Sequence, residues 1–192
     1  MIESMTTKLR LALVIMLTSL GSLLAVPAQA TDIYHEFPWD VPAGRLLQNH
    51  HQDIVGRLLS GEIVAGDVRI DECRPVDDFT AGFRFSFHNK AKTAGAVPGM
   101  TCDADTGELY LGMLSNVRDG HAIKKSGTAY DLLAGRVGET IPFSLQLLDN
   151  RVYMTLGNAA ADYDLSFTPV GAHFYGFCSE GLARFIEGEA GV

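Results

Sequence analysis

The sequence predicts a β-rich α+β protein, in which an N-terminal helix packs on an antiparallel sheet or a small β-sandwich. Three observations support this prediction. Apolar residues recur at helical spacing over 40–62, the period changes to two in a series of short segments after that, and turn-forming residues separate those segments. The length of 31–192 suits one globular domain with a hydrophobic core.

The predicted helix spans 40–62. Asp40 can cap it, Pro42 suits its first turn, and Gly61 can end it. Its apolar face recurs at three- and four-residue steps and comprises Leu46, Leu47, Ile54, Val55, Leu58 and Leu59. His50 and His51 lie on the same segment about 100° apart, so they cannot easily share a metal ion, and we expect a half-buried or solvated role for both.

About seven short strands follow, identified by alternating apolar residues. They fall within 66–73, 82–89, 107–114, 141–156, 161–167 and 172–178. Asp149-Asn150 predicts a tight hairpin between two of them, because both residues tolerate the left-handed conformation. Two further expectations complete the pattern: a short helix in 179–188, and a long connection or functional loop over 115–139 with a helical turn in it.

The strand in "GFRFSFHNK" has the strictest alternation. Phe83, Phe85 and Phe87 should point to the core, while Arg84, Ser86 and His88 point the other way. The expectation is that the polar row is the solvated side of a sheet and is dispensable for folding.

Residues 1–30 have the three parts of a secretory signal peptide. Lys8 and Arg10 precede an apolar run, and Ala28 and Ala30 give an A-x-A cleavage site. The run is too short and too interrupted for a membrane anchor, so no stable membrane insertion is expected after cleavage. The predicted location is the periplasm or the medium.

Charge excludes one class of partner. The formal net charge of the whole chain is −8, and without residues 1–30 it becomes −9. Such a protein is repelled by nucleic-acid phosphates, so no nucleic-acid partner is expected.

Cys73, Cys102 and Cys178 all follow the predicted cleavage site. An oxidising compartment favours one disulfide between two of them, and the sequence leaves the three possible pairings open. The third cysteine is expected to be a buried, inert thiol. No C-x-x-C motif supports a redox or zinc site, and no cofactor is expected.

The nearest approach to a metal site is "CDADTGELYLG". Asp103, Asp105 and Glu108 around Gly107 resemble the opening of a calcium loop, although Leu114 stands where such a loop has a bidentate Glu. An Asp- and Gly-rich hairpin turn has the same pattern for conformational reasons, and we favour that interpretation over a metal site.

No motif of nucleophilic catalysis is present in the sequence. The best enzymatic alternative combines Arg84 and His88 with Tyr153. On a concave sheet, the arginine could bind a uronate carboxylate while the histidine and tyrosine exchange protons, which is the logic of a polysaccharide lyase.

Two stretches resemble the VirK family of small exported proteins. They are "IVGRLLSGEIVAGDVRIDECRP" followed by "FTAGFRFSFH", and "FSLQLLDNRVYMTLGNAAADYDLSF". The resemblance implies export, a virulence or host-association context and no known enzymatic activity. It transfers no catalytic residue, and only Cys73 matches a recurrent position.

The sequence therefore favours an exported, non-enzymatic binding or interaction protein with a protein or glycan partner. A carbohydrate-active β-sandwich enzyme of the lyase type is the alternative.

Overall fold

The computed structural model describes residues 33–76, 80–119, 122–126 and 132–186. Within them the chain forms thirteen strands and one short helix, α1, spanning Gln52–Leu59. The strands in chain order are β1 Ile33–Asp40, β2 Leu46–Asn49, β3 Val64–Cys73, β4 Ala81–His88, β5 Ala94–Cys102, β6 Glu108–Asp119, β7 Ala122–Ser126, β8 Leu132–Arg136, β9 Ile141–Leu148, β10 Arg151–Leu156, β11 Ala159–Asp164, β12 Gly171–Phe177 and β13 Ser179–Ile186.

The strands form two antiparallel sheets. Sheet 1 has the order β1-β13-β3-β9-β10-β11. Sheet 2 has the order β2-β12-β4-β5-β6-β7, and β8 also pairs with β6. The apolar faces of the two sheets pack on each other, so the protein is a β-sandwich.

Aromatic side chains fill the space between the sheets. Phe83 and Phe85 of sheet 2 lie with their ring centroids 6.3 and 5.9 Å from that of Phe143 in sheet 1. The predicted inward row is confirmed, since Phe83, Phe85 and Phe87 are at most 1% exposed. Alternation along each strand then directs the polar residues outward.

The predicted N-terminal helix on a sheet is wrong. Only Gln52–Leu59 is helical, and its buried residues are Ile54 and Leu58. The segment before it forms β2, because the edge of β12 offers backbone hydrogen bonds over Leu46–Asn49. Helical spacing of leucines on an exposed segment is a weak preference, and pairing with a sheet edge overrides it.

Two other sequence-based assignments are also wrong. Residues 179–186 form β13 in the interior of sheet 1, where Ala183 and Phe185 alternate inward, rather than a terminal helix. The expected loop over 115–139 contains the end of β6 together with β7 and β8, which pair with successive parts of β6. Its polar, Gly-rich composition suits strands on a sheet edge.

The hairpin prediction is confirmed. Asp149 and Asn150 both have positive φ, 51° and 60°, and connect β9 to β10 with Leu148 opposite Arg151. Two successive residues with positive φ are typical of a type I′ turn, whose twist matches that of the strands it connects.

Two features link the sheets directly. Trp39 of β1 is buried and donates its indole N–H to the Ser179 hydroxyl at 2.9 Å, and this hydroxyl of sheet 1 donates to the Gly82 carbonyl oxygen of β4 in sheet 2 at 3.2 Å. The Cys73–Cys102 disulfide joins the end of β3 to the end of β5, and Cys178 is a buried free thiol. The disulfide thus ties sheet 1 to sheet 2, and a disulfide fits an oxidising compartment.

The predicted signal peptide of residues 1–30 lies outside the described residues. In the part of the chain that the structure describes, no helix is long and apolar enough to cross a membrane.

Candidate functional site

The candidate site lies on the outer face of sheet 2. This name refers to the outward side chains of β2, β12, β4 and β5, which are Gln48, His173, Tyr175, Phe177, Arg84, Ser86, His88, Val97 and Thr101. Register aligns them in rows across the sheet. Tyr175 is opposite Arg84, and His173 is opposite Ser86.

Arg84 occupies the centre of this face. One of its terminal nitrogens, Nη2, donates to the Thr101 hydroxyl at 2.9 Å and to the Thr80 hydroxyl at 3.1 Å. Its guanidinium carbon lies 4.7 Å from the centroid of the Phe177 ring, within cation–π distance. These contacts fix the side chain, and both of these hydrogen bonds use Nη2 as the donor.

Gly99 makes room for this arrangement. It is the residue of β5 opposite Arg84, and a Cβ there would lie 2.7 Å from the Arg84 Cγ and 2.4 Å from the Phe83 carbonyl oxygen. A side chain at 99 would therefore push β4 and β5 apart at Arg84, because the nearest atom belongs to the backbone of β4.

Arg84 differs electrostatically from an ordinary surface arginine. Burial lowers the pKa of its guanidinium, and an interaction with the Tyr175 hydroxyl partly opposes that shift. Burial in turn raises the pKa of Tyr175. Among the described residues no carboxylate lies within 4.0 Å of Arg84, so its charge has no anionic partner there.

A row of rings continues along β12. The centroid of Tyr175 is 5.6 Å from Phe177 and 5.8 Å from His173. The centroid of His173 is in turn 6.3 Å from His88 and 5.3 Å from His50. Flat rings at this spacing offer a surface on which the apolar faces of a ligand can pack.

Next to this row is a cavity of about 420 Å³. Its lining comes from β2, β4, β5, β12 and the turn between β4 and β5, and comprises Gln48, His50, Ser86, Phe87, His88, Lys92, Thr93, Ala94, Gly95, Val97 and His173. A cavity of this size, with several polar groups around it, is typical of small-ligand sites.

Burial in the cavity changes the protonation of His173. Burial lowers the pKa of His173 to about 4, with further contributions from His50, His88 and Lys92. At neutral pH the ring is therefore uncharged and can accept a proton or a hydrogen bond.

The structure separates the residues predicted for a lyase. Arg84 and His88 share the outer face of sheet 2, as β4 requires. Tyr153 lies on β10 of sheet 1, 41% exposed, between the buried residues Val152 and Met154, so it faces away from sheet 2. The tyrosine beside Arg84 is Tyr175.

The residues of the possible calcium loop form a hairpin turn between β5 and β6. The Asp103 carboxylate accepts hydrogen bonds from the backbone N–H groups of Asp105 and Thr106, at 2.9 and 3.2 Å. Glu108 instead accepts from Tyr110 and Arg136. Among the described residues, no group of three or more His, Cys, Asp or Glu side chains is placed to hold a metal ion. The turn thus has a conformational explanation that needs no ion.

His50 and His51 separate in the structure. His50 follows β2 and lies in the cavity beside His173, where its Nε2 is 2.7 Å from the Gln48 amide nitrogen. His51 precedes α1, and its ring centroid is 4.1 Å from that of His35.

Sequence reasoning missed His173, Tyr175 and Gln48. The alternation in "AHFYGFC" does place the first two on the polar side of a strand. Their placement beside Arg84 depends on the pairing of β12 with β4, which lie far apart in the sequence, and no local pattern signals that pairing.

Comparisons with known proteins found structural similarity at low sequence identity. No family model matches the sequence, and no curated protein matches it. Similar solved structures include a galectin of Caenorhabditis elegans, with 10% identity, TM-score 0.46 and coverage of 78% of this chain and 94% of the galectin. They also include the carbohydrate-binding module CBM66 of Bacillus subtilis, with 14% identity, TM-score 0.39 and coverage of 64% and 70%. An alginate lyase of Pseudomonas aeruginosa has 10% identity, TM-score 0.40 and coverage of 69% and 67%. At these identities and scores, the function has to be argued from the residues of this chain.

Proposed function

We propose that this protein is an exported glycan-binding protein whose outer face of sheet 2 binds a carboxylate-bearing sugar through Arg84. The single observation that carries the proposal is that Arg84 is half-buried, held in place and without a carboxylate partner among the described residues. A charge that is partly removed from water is normally paired, so an unpaired one points to an external anion.

A carboxylate fits this position chemically. Arginine presents a planar set of donors that matches a carboxylate in a bidentate arrangement. Hydroxyls of a sugar can exchange hydrogen bonds with Tyr175, Thr101 and Ser86. The apolar face of a sugar ring can pack on the neighbouring aromatic rings. A uronic acid combines all three features.

The overall charge makes this local arrangement informative. The chain carries a formal net charge of −8, which repels anions in general. On such a protein, a cationic site without neighbouring carboxylates binds an anion only when direct contacts outweigh the overall repulsion.

Binding to immobilised uronate polysaccharides tests the proposal. Polygalacturonate, alginate and hyaluronan would each be compared with its carboxyl-reduced counterpart, in which the carboxylate is an alcohol. We expect binding to at least one acidic polymer and at least a tenfold loss on carboxyl reduction, because a charge-assisted hydrogen-bond pair contributes about 1.5–3 kcal/mol.

Arg84→Ala should abolish this discrimination, and Arg184→Ala, an arginine on sheet 1, should retain it. Equal affinity of the wild-type protein for acidic and reduced polymers, or no binding to any acidic polymer, would overturn the proposal.

A second candidate function is β-elimination at the same site. One specific observation favours it: the protonated Tyr175 is opposite Arg84, and the neutral His173 is two residues away on the same strand, opposite Ser86. His173 would remove the proton at C5 of the uronate as its electrons form the C4–C5 double bond. The bond from C4 to the leaving oxygen breaks, and Tyr175 supplies the proton to that oxygen.

The activity differs from binding in its product. The unsaturated sugar absorbs ultraviolet light, so incubation of each polysaccharide with wild-type protein, His173→Gln and Tyr175→Phe measures it directly. Absorbance that grows with wild-type protein and not with either variant supports an enzyme. If a polymer binds and the absorbance does not increase, the protein binds the polymer without cleaving it.

We also propose that the protein is exported and that it belongs to the VirK-like family, which its sequence resembles. The disulfide fits export, and the signal-peptide pattern of residues 1–30 predicts it. Mass spectrometry of exported protein should find a chain that starts at Thr31 and contains one disulfide. A retained N-terminus would contradict export.

A further inference from the structure

The cavity beside His173 differs from the site at Arg84 in both shape and chemistry. Three histidines approach it from different elements: His50 from the end of β2, His88 from β4 and His173 from β12. Lys92 closes it from the turn between β4 and β5, where the positive φ of 54° helps to place the residue.

The lining of this cavity contains no carboxylate. Its charged and titratable members are Lys92 and the three histidines, and its neutral polar members include Gln48, Ser86 and Thr93. All of these side chains can donate hydrogen bonds, and the lysine is a full positive charge. An anion is the ligand that such a lining stabilises.

We propose that this cavity is a second anion subsite, which receives an acidic group on another residue of the same sugar chain that binds at Arg84. The proposal rests on the proposed function, and it narrows the ligand class to oligosaccharides with acidic groups on more than one residue.

Strand geometry supports a polymeric ligand. On β4, Arg84 is two residues from Ser86 at the near side of the cavity and four residues from His88 at its far side, which corresponds to ~7 and ~13 Å at the rise of a strand. One carboxylate bound at Arg84 cannot also lie between His88 and Lys92, so filling the cavity requires a second acidic group. A chain that lies along β4 can place successive acidic groups at Arg84 and in the cavity.

The surroundings of His173 give the expected pH dependence. The groups that face it are His50 after β2, His88 on β4, Lys92 in the turn and Tyr175 on its own strand. All but Tyr175 oppose a positive charge on His173. An anion in the cavity reverses this effect and favours protonation, so affinity for a polyanionic chain should rise as the pH falls.

Calorimetry with two trisaccharides tests the second subsite. One is trigalacturonate, and the other is the same trisaccharide with one carboxylate and two reduced residues. The wild-type protein should bind the fully acidic chain about tenfold more tightly, as a further charge-assisted contact would give. This preference should be larger at pH 5 than at pH 8.

Variants assign the preference to the cavity. Lys92→Asn combined with His173→Gln should bind both trisaccharides equally, because asparagine tolerates the left-handed conformation at 92 and removes the charge. Lys90→Gln is the matched control, since Lys90 lies in the same turn and outside the cavity lining, and it should keep the preference. Unchanged thermal unfolding verifies that each variant folds.

The outcomes separate the two proposals. If the singly acidic trisaccharide binds through Arg84 and the wild-type protein shows no preference, the second subsite is wrong and the site at Arg84 stands. Preference retained in the cavity variant also overturns the subsite. Binding of neither trisaccharide overturns the subsite, whereas the site at Arg84 is judged on the wider polysaccharide panel.

Discussion

The outer faces of the two sheets carry arginines in opposite electrostatic situations. On sheet 1, Arg184 lies 3.7 Å from both Glu36 and Asp67, and Arg151 pairs with Asp162 and Asp164 on β11. On sheet 2, Arg84 has hydroxyl and ring contacts and no carboxylate partner among the described residues. A face that balances its own charges needs no ligand, whereas one with an unbalanced cation has charge available for an external anion.

A substitution in the core between the two sheets should have the largest effect on the free energy of unfolding. Phe85→Ala should lower the free energy of unfolding by about 3–5 kcal/mol, because Phe85 is fully buried and its removal leaves a cavity. Ser86→Ala, the next residue on the outer face, is the control and should change it by about half a kcal/mol at most. Urea unfolding of both variants measures the difference. A comparable loss in Ser86→Ala would mean that the outer face of sheet 2 is part of the folding core.

Removal of the disulfide that links the sheets should have the second-largest effect on stability. Replacing both Cys73 and Cys102 with Ser should reduce stability by about 3 kcal/mol, since the disulfide closes a separation of 29 residues across the two sheets. Urea unfolding with and without reductant measures it, and reduction of the wild-type protein should reproduce the loss. If the double variant unfolds at the wild-type urea concentration, the linking role of the disulfide is wrong.

Acidification should affect sheet 2 through His173. Because the pKa of His173 is lowered from 6.5 to about 4, the unfolded chain takes up a proton more readily than the folded one in this interval. The stability contributed by the neutral ring is present above pH 6.5 and is lost as the pH falls towards 4.

The loss should be about 1–2 kcal/mol, less than the full shift would give, because solvent screens a half-exposed ring. Unfolding of wild-type protein and His173→Gln at pH 7 and pH 5 measures it. The wild-type protein should lose more stability than the variant, and equal losses would contradict the low pKa.

A substitution of Arg184, on the outer face of sheet 1, should have the smallest effect on stability. Arg184→Ala removes two solvent-accessible ion pairs, so stability should change by about 1 kcal/mol or less. Its affinity for acidic sugars should equal that of the wild-type protein. Thermal unfolding and a binding titration of the same sample check both, and reduced affinity would place the ligand on sheet 1.

The sequence predicted those features that depend on neighbouring residues. The Phe row of β4, the Asp149-Asn150 turn and the strands β3, β6, β9, β10, β11 and β12 follow from alternation and turn chemistry. It did not predict β2 and β13, since leucines, alanine and phenylalanine at helical spacing also fit a strand that finds a partner far away in the chain.

The candidate site divides in the same way. Arg84, Ser86 and His88 share a face because they share a strand, and alternation is enough to show it. Tyr175 and His173 join them through strand pairing, and Tyr153 is excluded because β10 belongs to the other sheet. Local sequence contains neither fact.

The most direct test of the central claim is to observe the arginine side chains during ligand titration. Selective ¹⁵N labelling of arginine gives one side-chain N–H signal for each guanidinium, and Arg84→Lys, Arg151→Lys and Arg184→Lys assign three of them. Trisaccharides from polygalacturonate and alginate serve as ligands. The Arg84 signal should shift to saturation with the acidic trisaccharide and stay in place with its carboxyl-reduced counterpart, while those of Arg151 and Arg184 do not move. Saturable shifts at Arg151 or Arg184 with a stationary Arg84 signal would contradict the assignment of the site to sheet 2.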